Sequence, residues 1–261
     1  MLLPVNATLG VVMAALLAAA VAIAVRANFG DARGARRYGK EIAVAGARAA
    51  LQLAVVSVVV GVVVHVLPLT LGFVVLMLSV AAWTAGHRIT RHPSWRWAAA
   101  PIVCGVLPVL AVLLLTGLLP SRGIALIPVA GILTGGALTA TVLAGRRALE
   151  ELTARGGEVE AALALGFPDR DARLEIARPA ASDALIPGLD QTRTVGLVTL
   201  PGAYVGMLLG GSSPVEAGAV QLFVLVALLA VQSIAVWATL ELVARGRIVG
   251  ASERPRDRRT L

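Results

Sequence analysis

Apolar positions in this chain run in long unbroken blocks rather than at helical or strand spacing. Seven blocks stand out, near residues 5–25, 42–66, 69–86, 98–118, 123–144, 191–210 and 217–243. Each is close to the roughly 20 residues that carry a helix across a bilayer. A closed barrel, the other way to satisfy every backbone amide in lipid, needs short alternating strands, and none is visible. The pattern predicts an all-α polytopic membrane protein of about seven transmembrane helices, with residues 1–261 forming a single membrane domain.

Polar residues fall between the blocks with alternating charge. One set of connections carries Arg26, Arg33, Arg36, Arg37 and Lys40, then Arg88, Arg91 and Arg96, then Arg146 to Arg178, and finally Arg245 to Arg259. On the opposite side, only Arg122 is basic. Basic loops stay on the cytoplasmic side, so the chain is expected N-out/C-in, and an odd number of spans agrees with that. The first block has no basic stretch before it, so it reads as an uncleaved helix rather than a signal peptide. Residues 245–261 are expected to be a polar cytoplasmic tail.

Composition sharpens the class. Mean hydropathy is +0.86, 58% of residues are hydrophobic and 15% are charged. Basic residues outnumber acids 23 to 15; in a membrane protein, topology explains that excess without nucleic acid as a partner. Cys104 is the single cysteine, which excludes an intrachain disulfide. The lipid bilayer is the first partner the sequence implies, and the cell's inner (plasma) membrane the expected location.

Charge concentrates in one place. Residues 145–193 hold nine of the fifteen acids and seven arginines. Helix formers run through this connection as RRALEELTARGG, EVEAALALG and DARLEIARPA, with Gly156-Gly157 and Gly166-Phe167-Pro168 as stops and turns. So short an amphipathic helix is unstable alone and needs a surface to dock against. Residues 145–190 therefore form a helical cytoplasmic region, set apart from the spans.

Within that region Glu160-Ala161-Ala162, Gly166, Ile176 and Pro179 keep the spacing EAA-x3-G-x9-I-x-LP, with Arg178 in place of the usual leucine. This resembles the EAA loop of ABC-transporter permeases, which forms a coupling helix seated in a groove of the cytoplasmic ATPase. RTVGLVTLPGAYVGMLLGGSSPVEAGAVQL (193–222), RAALQLAVVSVVVG (48–61) and IPVAGILTGGALTATVLAGRRALEEL (127–152) are similar to the FetB-type iron-export ABC permease family, whose plant relatives are linked to aluminium tolerance. That resemblance covers nearly the whole chain. It implies a permease, functioning as a homodimer with separate ABC ATPase subunits, that moves metal outward. ATP and Mg would be bound in the partner, with no cofactor held directly by this chain. ATPase coupling would then fall to Glu160, Ala161, Ala162, Gly166, Ile176 and Pro179.

The chain also departs from that family. Ala203-Tyr204 stands where a Met-Met pair is expected, and Gly135-Gly136-Ala137-Leu138-Thr139 replaces a Gly-Asn-x-Met-Asn pattern. Thioether and amide donors are lost at both places, so no metal ligands are assigned. Candidates for the transport pathway or for helix packing are Arg48 and Gln52 in the second block and Pro201, Gly202, Tyr204, Gly206, Met207 and Gly210 in the sixth. Gly202, Gly206 and Gly210 form a small-residue ridge suited to close helix approach. Pro201 frees a carbonyl inside a span, which predicts a kink. Arg48 and Arg193 are expected to snorkel, since a mid-membrane arginine costs roughly 2.5–3.5 kcal/mol.

Other classes fit less well. The seven block cores hold no acid, which argues against proton coupling. A secondary transporter or channel for a small solute, working without a motor, remains the alternative. There is no Gly-x-Ser-x-Gly, no His-Glu-x-x-His and no P-loop, so the chain is expected to lack its own hydrolytic site.

Overall fold

The structure is a computed structural model and describes residues 6–27, 34–120 and 122–250. Every regular element among them is a helix, apart from one isolated bridge between Val195 and Thr199. Residues 1–5, within which the first predicted span begins, and 251–261, most of the predicted tail, lie outside the described residues. The chain divides into two compact units, Met1–Val63 and Val64–Leu261.

The first unit pairs α1 (Ala7–Arg26) with α2 (Gly34–Val63). The Asn6 side chain caps α1 by accepting from the Leu9 amide at 3.1 Å. Glycines let the two helices approach closely. A Cβ on Gly46 would stand 2.7 Å from Leu17, and one on Gly39 would stand 2.6 Å from Val25. Away from that seam, Leu51, Leu53, Val58 and Val62 of α2 are exposed. Such an apolar surface belongs against lipid or protein.

The second unit contains α3 (Leu67–Ile89), α4 (Ala99–Leu115), α5 (Gly123–Ala154), α6 (Gly156–Ala164), α7 (Asp169–Ser182), α8 (Ile186–Thr194), α9 (Gly202–Leu209) and α10 (Pro214–Ala244). Its core is the packing of α5 against α10, flanked by α3 and α4, with Ile102, Leu133, Leu225, Val231 and Val243 fully buried. Small residues set the spacing. A Cβ on Gly105 of α4 would meet the Val231 carbonyl oxygen of α10 at 2.9 Å, and one on Gly145 of α5 would meet Ile89 of α3 at 2.9 Å.

Those contacts also give direction. Gly123, at the start of α5, faces Thr70 and Val64 beside the start of α3, whereas Gly145 faces Ile89 at its end. Hence α3 and α5 run parallel. Gly136 of α5 faces Leu228 and Gln232 of α10, while α7 packs on both α5 and α10 and is tied to Glu241 near the end of α10. So α5 and α10 run parallel too. Arg88, Arg146, Arg147 and Arg245 then gather at one end of the unit, here called the basic end. The segment after α10 docks at that end: Arg247 lies 5.0 Å over the Trp97 ring, and the Val249 amide donates to Ser94 at 3.3 Å.

Among the described residues, six helices are long and apolar enough to cross a membrane: Ala7–Arg26, Arg37–Val63, Leu67–Ile89, Pro93–Leu115, Gly123–Ala154 and Pro214–Ala244. The protein is therefore an all-α polytopic membrane protein, and the expected continuous span at 191–210 is corrected. That stretch holds the end of α8, a non-helical turn and the eight residues of α9. The cause is local. Pro201 has no N–H and keeps Leu200 out of helical ψ, and Gly196 has φ 82°. Because α5 and α10 are parallel, this broken limb carries the chain back along them.

Gly105→Ala is expected to destabilise the second unit by about 1–3 kcal/mol, because the Val231 carbonyl belongs to the helix backbone and cannot swing aside. Gly72→Ala, whose added carbon meets nothing within 4 Å, should leave thermal stability in detergent unchanged or slightly raised.

Candidate functional site

Beyond the basic end, α6 protrudes as an exposed nine-residue helix with no buried side chain. Arg155 staples it to α5: the guanidinium donates to Glu151 at 3.1 Å and, through Nε, to Glu158 at 2.6 Å. The same contact holds the Glu158 carboxyl below its usual pKa. Helix α6 ends in a Schellman turn. The Phe167 amide donates to the Ala162 carbonyl at 3.1 Å and the Gly166 amide to that of Leu163 at 2.9 Å, with Gly166 at φ 90°. The turn leaves Leu165 80% and Phe167 51% exposed, an apolar tip outside the spans.

Helix α7 ties this protrusion to the helical core. Ala172, Leu174, Ile176, Ala177 and Ala181 are buried. At its first turn Arg170 grips Glu241 of α10 with two parallel bonds of 2.7 and 2.8 Å, and Glu241 also accepts from Arg245 at 2.5 Å. The Glu241 carboxylate raises the pKa of Arg170, so the guanidinium stays charged. Bidentate geometry makes this the best-formed ion pair between elements distant in sequence.

The predicted coupling residues thus divide by surface. Glu160, Ala161 and Gly166 are exposed and Ala162 is half-buried. Ile176 packs inward, and Pro179 is exposed on α7. The first four can meet a partner, whereas Ile176 holds α7 to the core.

Past α7 the chain climbs α10. Gly188 of α8 lies so close to Gln232 that a Cβ there would collide with the amide, which also faces Gly136. Residues 195–204 then lie against Gly218, Gln221, Leu222 and Leu225 of α10. Asp190 and Arg193 fall between those two levels, alongside the apolar length of α10. Their pair is loose, at 3.5 Å, and both side chains are largely exposed within this chain. Asp190 sits beside the apolar length of α10, one residue before the block in which hydropathy placed the limb, so the cores of the blocks still hold no acid.

The turn that breaks the limb satisfies the amides of residues 196–199. The Thr194 carbonyl accepts from Leu197, Val198 and Thr199 at 3.3, 2.9 and 3.3 Å, and the Gly196 amide donates to Thr199 at 2.8 Å. Between turn and α10 lies a cavity of about 230 Å³, bounded by Val195, Leu200, Pro201, Tyr204, Gln221 and Leu225 among others. The carbonyl oxygen of Gln221 is buried there without a hydrogen-bond partner. Gln232, Thr134 and Thr141 likewise bury unpartnered oxygens along α5 and α10, although Thr239 bonds back to the Ala235 carbonyl at 2.7 Å.

Of the predicted pathway residues, Pro201 and Tyr204 reach the cavity. Gly202 and Gly206 are exposed, and a Cβ on either would meet nothing within 4 Å, so no neighbour closes on that ridge. Met207 is half-buried, and Gly210 caps α9 in ordinary helical geometry before Gly211 turns the chain at φ 92°. Arg48 and Gln52 are exposed on α2 in the first unit. Sequence reading missed Asp190, Gln221 and Gln232; a polar residue inside an apolar block was the available signal for the two glutamines. Among the described residues no three His, Cys, Asp or Glu side chains gather as a metal site.

The profile of the family described as "Uncharacterised protein family (UPF0014)" matches residues 9–248. The chain is 38% identical over 150 residues to "Protein ALUMINUM SENSITIVE 3" of Arabidopsis thaliana, covering 57% of this chain and 55% of the relative. It is also 38% identical over 150 residues to "UPF0014 membrane protein STAR2" of Oryza sativa subsp. japonica, covering 57% and 53%. It is 32% identical over 200 residues to "Probable iron export permease protein FetB" of Escherichia coli (strain K12), covering 75% and 76%. The chain thus spans little more than half the length of the two plant relatives. No solved structure matches it.

Three substitutions test this geometry. Gly196→Ala places a side chain at positive φ and should cost about 1–2 kcal/mol, whereas Gly202→Ala should be neutral in the same thermal assay. Arg170→Ala removes a part-exposed ion pair, which solvent screens. It should speed hydrogen exchange several-fold in the first turn of α7 while leaving that of α4 unchanged.

Proposed function

The chain belongs to the UPF0014 family of membrane proteins, and from that premise we propose that it is the membrane-spanning permease subunit of an ABC transporter, driven by ATP hydrolysed on a separate ATPase. The observation that carries this reading is the exposed α6 turn joined to the core through α7. Its apolar tip, Leu165 and Phe167, has no partner within the described residues, yet the helix ends in a well-formed cap. A cytoplasmic ATPase groove would cover it. The basic end is then the cytoplasmic end, in keeping with the distribution of arginines, and the plasma membrane is the location.

The mechanism follows from the connections. Movement of the ATPase displaces α6; Arg155 makes α6 follow α5, and the Arg170–Glu241 clasp passes the displacement to α10. Helix α10 forms one wall of the cavity whose other wall is the broken limb. Sliding α10 against that limb alternates the access of a pathway between them. The exposed Asp190–Arg193 pair at span depth supports a second copy or a water-filled path beside α8, because lipid would solvate neither charge. A homodimer meets that requirement.

Metal export, with iron as cargo, is the substrate reading that the name of the Escherichia coli relative supports. It carries a chemical constraint here. Without gathered thiolates, imidazoles or carboxylates among the described residues, a metal ion would meet amides, hydroxyls and the isolated Asp190, a weak hard-oxygen set.

Purification from the native host in mild detergent tests the motor assignment. A stoichiometric ABC ATPase should accompany the wild-type chain. Gly166→Glu or Ala162→Asp should leave insertion intact and lower ATPase recovery at least tenfold. Undiminished recovery from both variants would remove α6 as the coupling element, and a chain isolated alone after cross-linking in cells would favour an autonomous carrier.

A further inference from the structure

We infer that the cavity beside the helix break is a binding site for a small, uncharged, largely apolar molecule that presents one hydrogen-bond donor to Gln221. This goes beyond the permease reading and holds whether or not an ATPase binds.

Size comes first. The cavity measures about 230 Å³, and engineered apolar cavities of about 150 Å³ hold a benzene ring. One ring with a substituent or two therefore fits. Its walls are mostly aliphatic, with Val195, Leu200, Leu222 and Leu225 around the Tyr204 ring.

Polarity sets the rest of the ligand. Gln221 is 5% exposed, and its carbonyl oxygen has no partner. Gln221 lines the cavity, and an unmet buried acceptor is a standing cost that a donor removes. A hydroxyl on an apolar ring supplies that donor at the right scale.

The lining argues against a bare cation. It contains no carboxylate, thiolate, thioether or imidazole. Thr194 and Thr199 already accept from the amides of the turn, and a divalent ion would find no charged ligand in exchange for its water shell.

Occupancy has a consequence for the limb. One wall is the turn itself, so a molecule seated between turn and α10 props the break in the form seen here. The site therefore reports on, and can bias, the position of the limb.

The test uses the full chain in lipid nanodiscs, with 4-fluorophenol as the probe and fluorobenzene as the matched ring without a donor, both followed by fluorine NMR against empty nanodiscs. 4-Fluorophenol should bind saturably. Gln221→Leu should weaken it about fivefold, the worth of one hydrogen bond, while fluorobenzene binds both forms alike. Gly218→Val should abolish binding of both probes. A Cβ at Gly218 meets nothing within 4 Å, so this substitution fills the cavity without a clash. Partition no different from empty nanodiscs, or binding intact in Gly218→Val, overturns the inference. Displacement of 4-fluorophenol by micromolar Zn²⁺ overturns it in favour of a cation. Because the isolated chain carries the test, failure here is distinct from failure to recover an ATPase.

Discussion

Helices α5 and α10 lie side by side and run in the same direction, and most of the architecture follows from that pairing. Two parallel spans joined in sequence oblige the intervening chain to travel the length of the bundle in reverse. A single straight helix could do this. The chain instead uses α7, α8, a hydrogen-bonded turn and α9. Non-helical backbone at membrane depth is tolerated only where its amides and carbonyls are satisfied or face a cavity. The turn at 195–200 lies in such a place: Thr194 and Thr199 absorb the amides of residues 196–199, and the cavity lies against it. Glycines complete the fit, because Gly136 and Gly188 let two helices close around the Gln232 amide.

The returning limb also explains how an external element can act on the bundle. Helix α7 is buried on its inner face and clasped to α10 at its first turn, so it moves with the core rather than as a loose connection. Helix α6 is its opposite, with no side chain fully buried, and it is tied back by an arginine staple and a glycine-capped turn. A rigid arm ending in an unburied apolar tip is suited to transmit force. Glu241 concentrates that role, since it accepts from Arg170 and Arg245 together while its own side chain is only 14% exposed.

What could be read from the sequence follows a physical line. Hydropathy located six spans because each is a continuous helix, and charge placed the polar region between α5 and α8. The EAA-like spacing identified a helix that does end at Gly166, where positive φ demands glycine. The same averaging failed over 191–210. Leu197, Val198 and Leu200 are as apolar as any span, so a window across them registers a helix where Pro201 and Gly196 have ended one. Pro201 was read as a kink, which underestimates a proline joined by a positive-φ glycine five residues earlier. Ile176 shares a motif with Glu160 but not a surface, because spacing across a turn does not specify which side a second helix buries. Gln221 and Gln232 stand out in the sequence only as polar residues in an apolar block, and such an amide acquires meaning only when the facing helices are known.

The distribution of polar atoms bears on what the bundle discriminates. A carrier that selects a metal by direct ligation concentrates sulfur, imidazole or carboxylate where the pathway narrows. The interior of this second unit instead buries isolated neutral oxygens, on Thr134, Thr141, Gln221 and Gln232, each without an internal partner. The ionic pair at span depth, Asp190 with Arg193, stands on the exposed side of α8. Neutral groups inside and charges on the open face divide the two tasks of a membrane pathway. Shape and single hydrogen bonds operate where α10 meets the broken limb, and charge operates where a second copy or water must supply the missing solvent. On the permease reading proposed above, that division would place selectivity in the geometry of the break more than in any set of metal ligands.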